Sequence, residues 1–278
     1  MFSKKFLIFL IFLIFFNGCS KKEDLQTSKL TKVNINEQMI EAYREGLQAL
    51  ENQNGIEAAK KFSEAEILFP QSVWAPRSAL MTAYSFYTYG FYVDCIIEIE
   101  RYLKTYPLHN RKDYAYYLLG LSYYEQIVDE KKDLEPIVNA KKYFNIVREK
   151  YNDTEFALDS TYKVELINEM LASKEMYLGR YYIEREKWIP AINRFKTVVN
   201  DYNTTIFIEE ALHRLVEIHY KLGLTEESKN YAQVLGYNYN SSEWYEKSYK
   251  VFNKDYEKIR KKKIKEKTLI NKLKSIIN

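Results

Sequence analysis

The sequence contains two cysteines and three histidines, the side chain types that most often act as nucleophiles or metal ligands. His213 and His219 are six residues apart, which places them on different faces of one helix, so they do not predict a metal site. The sequence contains neither a glycine-rich dinucleotide loop nor a Walker phosphate loop. Carboxylates are scattered through amphipathic segments, where such residues usually form a solvated surface. We therefore predict that the protein is not an enzyme and binds no metal or dissociable cofactor.

Cys19 is the one residue whose surroundings predict a covalent modification. Two lysines precede an apolar run of eleven residues, 6–16, which is shorter than the roughly 20 residues that a membrane-spanning helix needs. A charged start, a short apolar segment and small polar residues after it are typical of a secretory signal peptide. The following Gly18-Cys19 resembles the bacterial lipobox, in which the thiol is acylated after cleavage. We predict a signal peptide over residues 1–18 and a covalent lipid on Cys19.

Two other interpretations of this segment remain open, an uncleaved N-terminal anchor and ordinary cleavage to a soluble form. Acylation is favoured because Cys19 lies at the end of the apolar run, and several acyl chains would hold the protein on a membrane without a spanning helix. Ser20 follows the cysteine where an Asp would signal a different destination, which in Gram-negative lipoproteins suggests sorting to the outer membrane. Residues 19–36 are polar, lack aromatic side chains and predict a tether between lipid and folded domain.

The amino-acid composition predicts that the rest of the chain folds mainly into helices. The 278 residues are 46% hydrophobic and 29% charged, as in an ordinary folded protein. Only 8 Gly and 5 Pro are present, which disfavours the frequent turns of an all-β fold. With 26 Tyr and 15 Phe, the chain must pack aromatic rings between its elements or present them to a partner. Apolar residues recur at helical spacing from residue 37 to about 250.

The helices repeat with the tetratricopeptide (TPR) pattern, in units that start near residues 39, 76, 113, 172 and 209. In this pattern a small residue at positions 8 and 20 lets the two helices of a hairpin approach closely, and an aromatic at position 24 fills the space towards the next hairpin. These packing residues are Gly46, Ala58, Ala83, Cys95, Gly120, Ala140, Gly179 and Ala191. We predict an all-α, right-handed superhelix of about five TPR hairpins over residues 37–250, with a concave groove lined by first helices.

Tyrosines dominate the positions that usually face the groove in this fold. The predicted groove tyrosines are Tyr43, Tyr84, Tyr87, Tyr114, Tyr117 and Tyr124. Such a surface offers apolar area with a hydrogen-bonding rim and suits an extended or aromatic-rich peptide. The alternative is that these tyrosines simply pack between helices, since Tyr is common throughout the chain.

Two segments depart from the repeat pattern. About eight extra residues around 128–136 lie in the turn of the third unit, between its two helices. The C-terminal segment, residues 251–278, is basic and carries a net charge of +7 from residue 254 onward, whereas the body is mildly acidic, so the protein is not a nucleic-acid-binding domain. Apolar residues lie between the lysines of this tail, which could form an amphipathic helix or remain a disordered solubilising tail.

Several stretches together make the chain resemble the BamD family, lipoproteins of the β-barrel assembly machinery. The matching stretches are Arg101–Pro107, Asp113–Leu121, Lys174–Tyr182, Ala191–Phe195, Glu210–Glu217 and Ser242–Tyr245, the last in the form seen in alphaproteobacterial members. The similarity covers nearly the whole mature chain, although the basic tail departs from it.

The resemblance implies a scaffold on the periplasmic face of the outer membrane, anchored in the inner leaflet by its lipid. Such proteins bind the BamA-type barrel insertase through their C-terminal repeats and work with other lipoproteins of the assembly machinery. They receive the C-terminal signals of unfolded β-barrel proteins, which end in aromatic residues, in the N-terminal groove. The resemblance places the insertase contact near Arg194, at position 23 of the fourth unit.

Two other functions compete with assembly. Similar repeats could form a lipoprotein adaptor that docks peptidoglycan enzymes. A hydrolase or lytic transglycosylase built on a helical solenoid would need a further lysozyme-like domain, for which the repeats leave no room.

Overall fold

The computed structural model describes residues 24–128 and 133–253, with side chains from Asn34 onward. The signal peptide, Cys19, part of the insertion and the tail from residue 254 lie outside these residues. Every regular element in the described chain is an α-helix. The predicted fold class, an all-α TPR-type repeat, is confirmed. No helix in this part of the chain is long and apolar enough to cross a membrane.

The helices follow one another as hairpins. Their bounds are α1 Asp24–Glu51, α2 Gly55–Leu68, α3 Ala75–Thr88, α4 Tyr92–Thr105, α5 Lys112–Tyr124, α6 Glu135–Lys150, α7 Glu155–Glu184, α8 Trp188–Asp201, α9 Ile208–Lys221, α10 Thr225–Asn238 and α11 Glu243–Phe252. Side chains of Asn54, Thr154 and Ser242 cap the starts of α2, α7 and α11 by accepting hydrogen bonds from main-chain N–H groups.

Four of the hairpins turn within three residues, and each turn contains one residue with a positive φ. Gly90 and Gly223 have φ of 79°, while Gln53 and Glu186 have φ of 58° and 55°. All four residues occupy position 15 of their predicted units, so the turn recurs in register with the repeat. The connection between α5 and α6 is instead ten residues long, 125–134, and lies where the sequence predicts the insertion.

Three helices extend outside the repeat units that the sequence predicts. α7 begins at Glu155, well before residue 172, and runs for 30 residues because no glycine or proline interrupts its first 24 positions. It packs against both α6 and α8, and its second half forms the fourth hairpin with α8 through a shared core. α1 begins at Asp24, inside the predicted tether. α11 follows the fifth unit and packs against α9 and α10.

The chain divides into two compact units, an N-terminal unit up to Leu118 and a C-terminal unit from Leu119. Large, fully buried side chains form the core of each unit. In the N-terminal unit they include Met39, Phe62, Ile99 and Tyr102. In the C-terminal unit they include Phe144, Met176, Phe195 and Leu212.

Candidate functional site

Close contacts between helices build the scaffold that carries the candidate sites. A β-carbon added to Gly46 would lie 2.8 Å from the ring of Phe62. Gly120 has the same relation to Phe144, at 2.8 Å. Five more of the predicted packing residues, Ala58, Ala83, Cys95, Ala140 and Ala191, are completely buried. The small residues therefore lie where helices pack most tightly.

A buried carboxylate in the N-terminal unit ties α2 to α4 and to the connection that follows α4. Glu66 on α2 accepts hydrogen bonds of 2.8 and 2.6 Å from the guanidinium of Arg101 on α4. It also accepts a 2.7 Å bond from the hydroxyl of Tyr106, just after α4. The hydroxyl of Tyr102 is 2.5 Å from Nδ1 of His109. These contacts hold the connection from Tyr106 to Arg111 in place.

This connection forms one wall of a pocket of about 340 Å³ in the N-terminal unit. The pocket is lined by Tyr43, Arg77, Leu80, Met81, His109, Asn110, Arg111 and Tyr114. It combines two guanidinium groups with two tyrosines and two aliphatic side chains, and no carboxylate lies among these lining residues. Such a lining can bind an anionic group that is next to an apolar one.

The positive charges of Arg77 and Arg111 act on the pKa values of titratable groups in this pocket. Burial lowers the pKa of His109 from its ordinary value of 6.5, and the positive charges of Arg77 and Arg111 lower it further. Burial raises the pKa of Tyr43, while Arg77 acts in the opposite direction. The guanidinium carbon of Arg77 is 5.5 Å from the ring centroid of Trp74. The corresponding distance from Arg111 to Tyr114 is 5.8 Å.

The predicted groove tyrosines have different environments. Tyr43 and Tyr114 line the pocket. Burial is the main cause that raises the pKa of Tyr114, and the nearby Tyr84 and Tyr87 raise it further. Tyr117 is half-buried in the same unit. Tyr124 belongs to the C-terminal unit, where its ring packs edge-on against Phe144.

Arg194, the predicted insertase contact, forms an ion pair within its own hairpin. Its guanidinium on α8 lies 3.1 Å from the carboxylate of Glu175 on α7. The side chain nevertheless stays 40% exposed. It borders a shallow pocket of about 220 Å³ that also includes Tyr182, Ile189 and Asn193. Arg194 is therefore held in position by Glu175 while part of its surface faces solvent.

A second charged network crosses the C-terminal unit. Glu210 on α9 accepts bonds of 2.9 and 2.5 Å from Arg180 on α7. Arg214 bonds both Glu210, at 3.2 Å, and Glu217, at 2.8 Å. Burial acts to raise the pKa of Glu217, but its bonds to His213 and Arg214 hold this pKa below the ordinary value.

Sequence reasoning missed the residues that fix α11. His213 is buried on α9, and its Nδ1 lies 2.8 Å from the hydroxyl of Ser248 on α11. The ring of Trp244 packs on His213 with centroids 5.3 Å apart. A signal for this helix exists in the sequence, since Ser242 followed by Glu243 is typical of a helix start. Both histidines of α9 are core residues, because His219 is buried as well and contacts the main-chain oxygen of Leu215.

The described residues contain no group of three or more His, Cys, Asp or Glu side chains arranged to hold a metal ion. The sites found are a basic aromatic pocket in the N-terminal unit and a charged surface around Arg194 in the C-terminal unit. Both arrangements present charged and aromatic side chains to a binding partner.

Comparison with known proteins identifies what the chain is similar to. A family model described as "YfiO: Outer membrane lipoprotein" matches residues 35–235. The outer membrane protein assembly factor BamD of Caulobacter vibrioides is 38% identical over 211 residues, which cover 76% of this chain and 69% of that protein. BamD of Rickettsia prowazekii is 36% identical over 234 residues, or 84% and 90% of the two chains. BamD of Neisseria meningitidis serogroup A is 30% identical over 210 residues, covering 72% and 79%.

Proposed function

Because this chain belongs to the YfiO family of outer membrane lipoproteins, we propose that it is an assembly factor that helps fold and insert β-barrel proteins into the outer membrane. The similar proteins from three bacteria are themselves named as outer membrane protein assembly factors. In this proposal the protein is a scaffold that brings an unfolded barrel protein and the barrel insertase together. It catalyses no covalent step.

The observation that carries the proposal is the pairing of two different surfaces on one helical scaffold. The N-terminal unit has the pocket lined by Tyr43, Tyr114, Arg77 and Arg111. We propose that this unit receives the C-terminal segments of unfolded barrel proteins, whose aromatic side chains would pack against the tyrosines. Tyr84, Tyr87 and Tyr117 would extend the same binding surface.

The C-terminal unit would bind the periplasmic part of a BamA-type insertase. Arg194 is partly exposed and is preorganised by Glu175, so an acidic group of the insertase could bind it without first ordering its side chain. Other lipoproteins of the assembly machinery are proposed as further partners.

A lipid on Cys19 would keep the scaffold at the periplasmic face of the outer membrane. The acyl chains would insert into the inner leaflet, and each buried CH₂ would contribute about 0.8 kcal/mol to membrane binding. The polar residues that follow Cys19 would separate the lipid from the repeats.

The proposal is tested by measuring both binding activities on the same variants. Replacing Tyr84, Tyr87 and Tyr117 together by Ala should weaken the binding of a peptide that ends in an aromatic barrel signal, because truncated interface aromatics commonly cost more than about 1 kcal/mol each. The same variant should still pull the insertase out of a detergent extract. If it loses both activities and melts at a lower temperature, the substitutions acted through folding. If wild-type protein captures no insertase, the scaffold proposal is wrong.

A further inference from the structure

The N-terminal unit has its most exposed large apolar side chains at the connections that follow α2 and α4. Leu108, Val73 and Ile67 are 96%, 76% and 73% exposed, more than any other large hydrophobic residue whose side chain is described in this unit. Val73 lies between α2 and α3, and Leu108 lies between α4 and α5. Exposed apolar residues that lie together often mark a surface that contacts a protein or a membrane.

Packing brings these residues to one end of the unit. Ile67 is in the last turn of α2, and α2 and α4 are the second helices of consecutive hairpins. The carboxylate of Glu66 accepts a 2.7 Å hydrogen bond from the hydroxyl of Tyr106, which joins the end of α2 to the connection after α4. Ile67 follows Glu66 directly, and Leu108 is two residues after Tyr106. We call the surface formed by Ile67, Val73 and Leu108 the apolar end of the unit.

The charges at the two ends of the N-terminal unit differ. Lys104, Arg111 and Lys112 lie beside or on the connection after α4, and Lys104 and Arg111 are exposed. The connections at the opposite end precede α2 and α4, and no Lys or Arg lies within three residues of either one. Basic residues beside exposed apolar side chains suit a membrane surface that contains anionic lipids.

Helix α1 leads from the apolar end towards the predicted lipid. Met39 on α1 packs with Ala65 near the end of α2, and Phe69 of the following connection packs against the same core. α1 begins at Asp24, about 22 Å before Met39 at the rise of an α-helix. Cys19 lies five residues before Asp24. A lipid on Cys19 would therefore keep the apolar end within about 40 Å of the bilayer, and α1 lying along the membrane would bring it to the surface.

We propose that the apolar end, together with Lys104 and Lys112, contacts the inner leaflet of the outer membrane and binds anionic phospholipid headgroups there. In this arrangement the apolar side chains enter the boundary between headgroups and acyl chains, and the lysines bind lipid phosphates. The inference rests on the proposed lipid on Cys19, because this anchor makes the contact intramolecular and allows a weak surface to bind. It adds a second membrane contact, which sets the end of the N-terminal unit that faces the bilayer.

The test places an environment-sensitive fluorophore on a cysteine introduced at the apolar end of the full-length lipidated protein. The introduced thiol is the reactive one, because Cys95 is completely buried and the lipid would block Cys19. In vesicles of phosphatidylethanolamine and phosphatidylglycerol, the label on Leu108→Cys should shift its emission to the blue and be quenched by nitroxide-labelled lipids. Val93→Cys is the matched control, because Val93 is 60% exposed but lies at the start of α4, at the opposite end. Its label should keep the emission that it has in water.

Neutral substitutions of the two lysines test the contribution of charge. In the double variant Lys104→Gln, Lys112→Gln, the label at position 108 should need several-fold more phosphatidylglycerol for the same shift, because fewer cations attract the anionic surface. This variant should bind the aromatic-ended peptide as the wild type does, since neither lysine lines the pocket of the N-terminal unit. Unchanged peptide binding also shows that the variant is folded.

The outcomes separate this inference from the proposed function. An aqueous emission at position 108 in vesicles, equal to that at position 93, would overturn the inference but leave the anchor and peptide binding intact. An unchanged lipid response of the lysine double variant would overturn the recognition of anionic headgroups. If the label becomes shielded only when the barrel insertase is added, the apolar end binds a protein and the inference is wrong. If the wild type binds no vesicles and Cys19 accepts the fluorophore, the proposed anchor and the inference fail together.

Discussion

Gly179 lies so close to Phe195 that a β-carbon on the glycine would be 2.6 Å from the phenylalanine ring. The contact joins α7 to α8, and the equivalent pairs in the first and third hairpins are Gly46 with Phe62 and Gly120 with Phe144. The two residues of a pair are not always the same number of positions apart in the sequence, because the third hairpin carries the insertion. They are produced by positions 8 and 24 of the TPR pattern, which meet in each of these three hairpins.

Replacing Gly179 by Ala should destabilise the protein by about 1–3 kcal/mol through overpacking against Phe195. Helix propensity alone predicts the opposite sign, since Gly→Ala inside a helix usually stabilises by about 1 kcal/mol. Urea unfolding of the variant therefore decides between the two effects. The double variant Gly179→Ala, Phe195→Leu should show a favourable coupling between the two sites. A single variant as stable as the wild type, or more stable, would show that the ring contact is not tight.

The sequence predicts this packing because small and aromatic residues at fixed spacing report directly on how closely two helices approach. The turns are only partly predictable. Gly90 and Gly223 show where the backbone takes a positive φ, but Gln53 and Glu186 adopt it without any glycine. Main-chain hydrogen bonds from the residue after each of them back to the preceding helix, such as Asn54 N–H to the oxygen of Ala49, close these turns in the same way.

Two features could not be predicted from the repeat pattern. The repeat pattern gives the start of the fourth unit near residue 172 but not the start of α7 at Glu155, because the helix continues through the unit boundary without a break. The basic pocket requires Arg111 and His109 from a connection between repeats, and such residues have no fixed position in the pattern. The pairing of Arg101 with Glu66, which are 35 residues apart, likewise follows only from the packed structure.

Glu210 should make the stability of the C-terminal unit sensitive to acid. Burial acts to raise the pKa of Glu210, but bonds and charges from Arg180 and Arg214 bring it below the ordinary value of 4.5. A carboxylate with a lowered pKa in the folded state contributes stability that is complete above pH 4.5 and is lost as the pH falls through the folded-state pKa. Glu210→Gln should cost about 1–3 kcal/mol at neutral pH and should flatten the loss of stability below pH 4.5.

Urea unfolding between pH 3 and pH 7 measures this effect. Glu226→Gln is the control, because Glu226 is an exposed residue of α10 whose pair with Lys229 lies on the surface, where ion pairs contribute little to stability. This variant should follow the wild-type curve. Identical acid dependence of the wild type and the Glu210→Gln protein would mean that the network with Arg180 contributes nothing to the pH response.

Arg194 and Glu175 allow the proposed insertase contact to be separated from a purely structural role. Arg194→Gln and Glu175→Gln break the same ion pair, so both should change the stability by similar, small amounts. Only Arg194→Gln removes the charge that the insertase would bind, and it should weaken insertase binding by about 2–5 kcal/mol. Neutral substitutions are preferable to a charge reversal, which would place two carboxylates together between α7 and α8.

The readouts are capture of the insertase and titration of the aromatic-ended peptide. Glu175→Gln should leave both unchanged, and Arg194→Gln should affect only the first. Equal weakening of insertase capture by the two variants would show that Arg194 acts through its ion pair and not through an interface.

Cys19→Ser should abolish acylation and release the protein from membranes. We expect this because the Cys19 thiol accepts the lipid, and the polar residues after it cannot hold the protein on a bilayer. Labelling cells with radioactive palmitate and separating membrane from soluble fractions checks both consequences. Cys95→Ser provides the comparison, since Cys95 is completely buried in the N-terminal unit, and it should leave labelling unchanged. Continued incorporation of palmitate into the Cys19→Ser protein would disprove the lipidation site.

Depletion of the protein from its own bacterium tests the assembly function most directly. The amounts of β-barrel proteins in the outer membrane and the cross-linking of peptidoglycan are measured in the same cells, before growth slows. We predict that barrel proteins decline in the outer membrane and accumulate unfolded in the periplasm, while cross-linking stays normal. Normal levels of barrel proteins together with altered cross-linking would contradict the assembly function and would favour an adaptor for peptidoglycan enzymes.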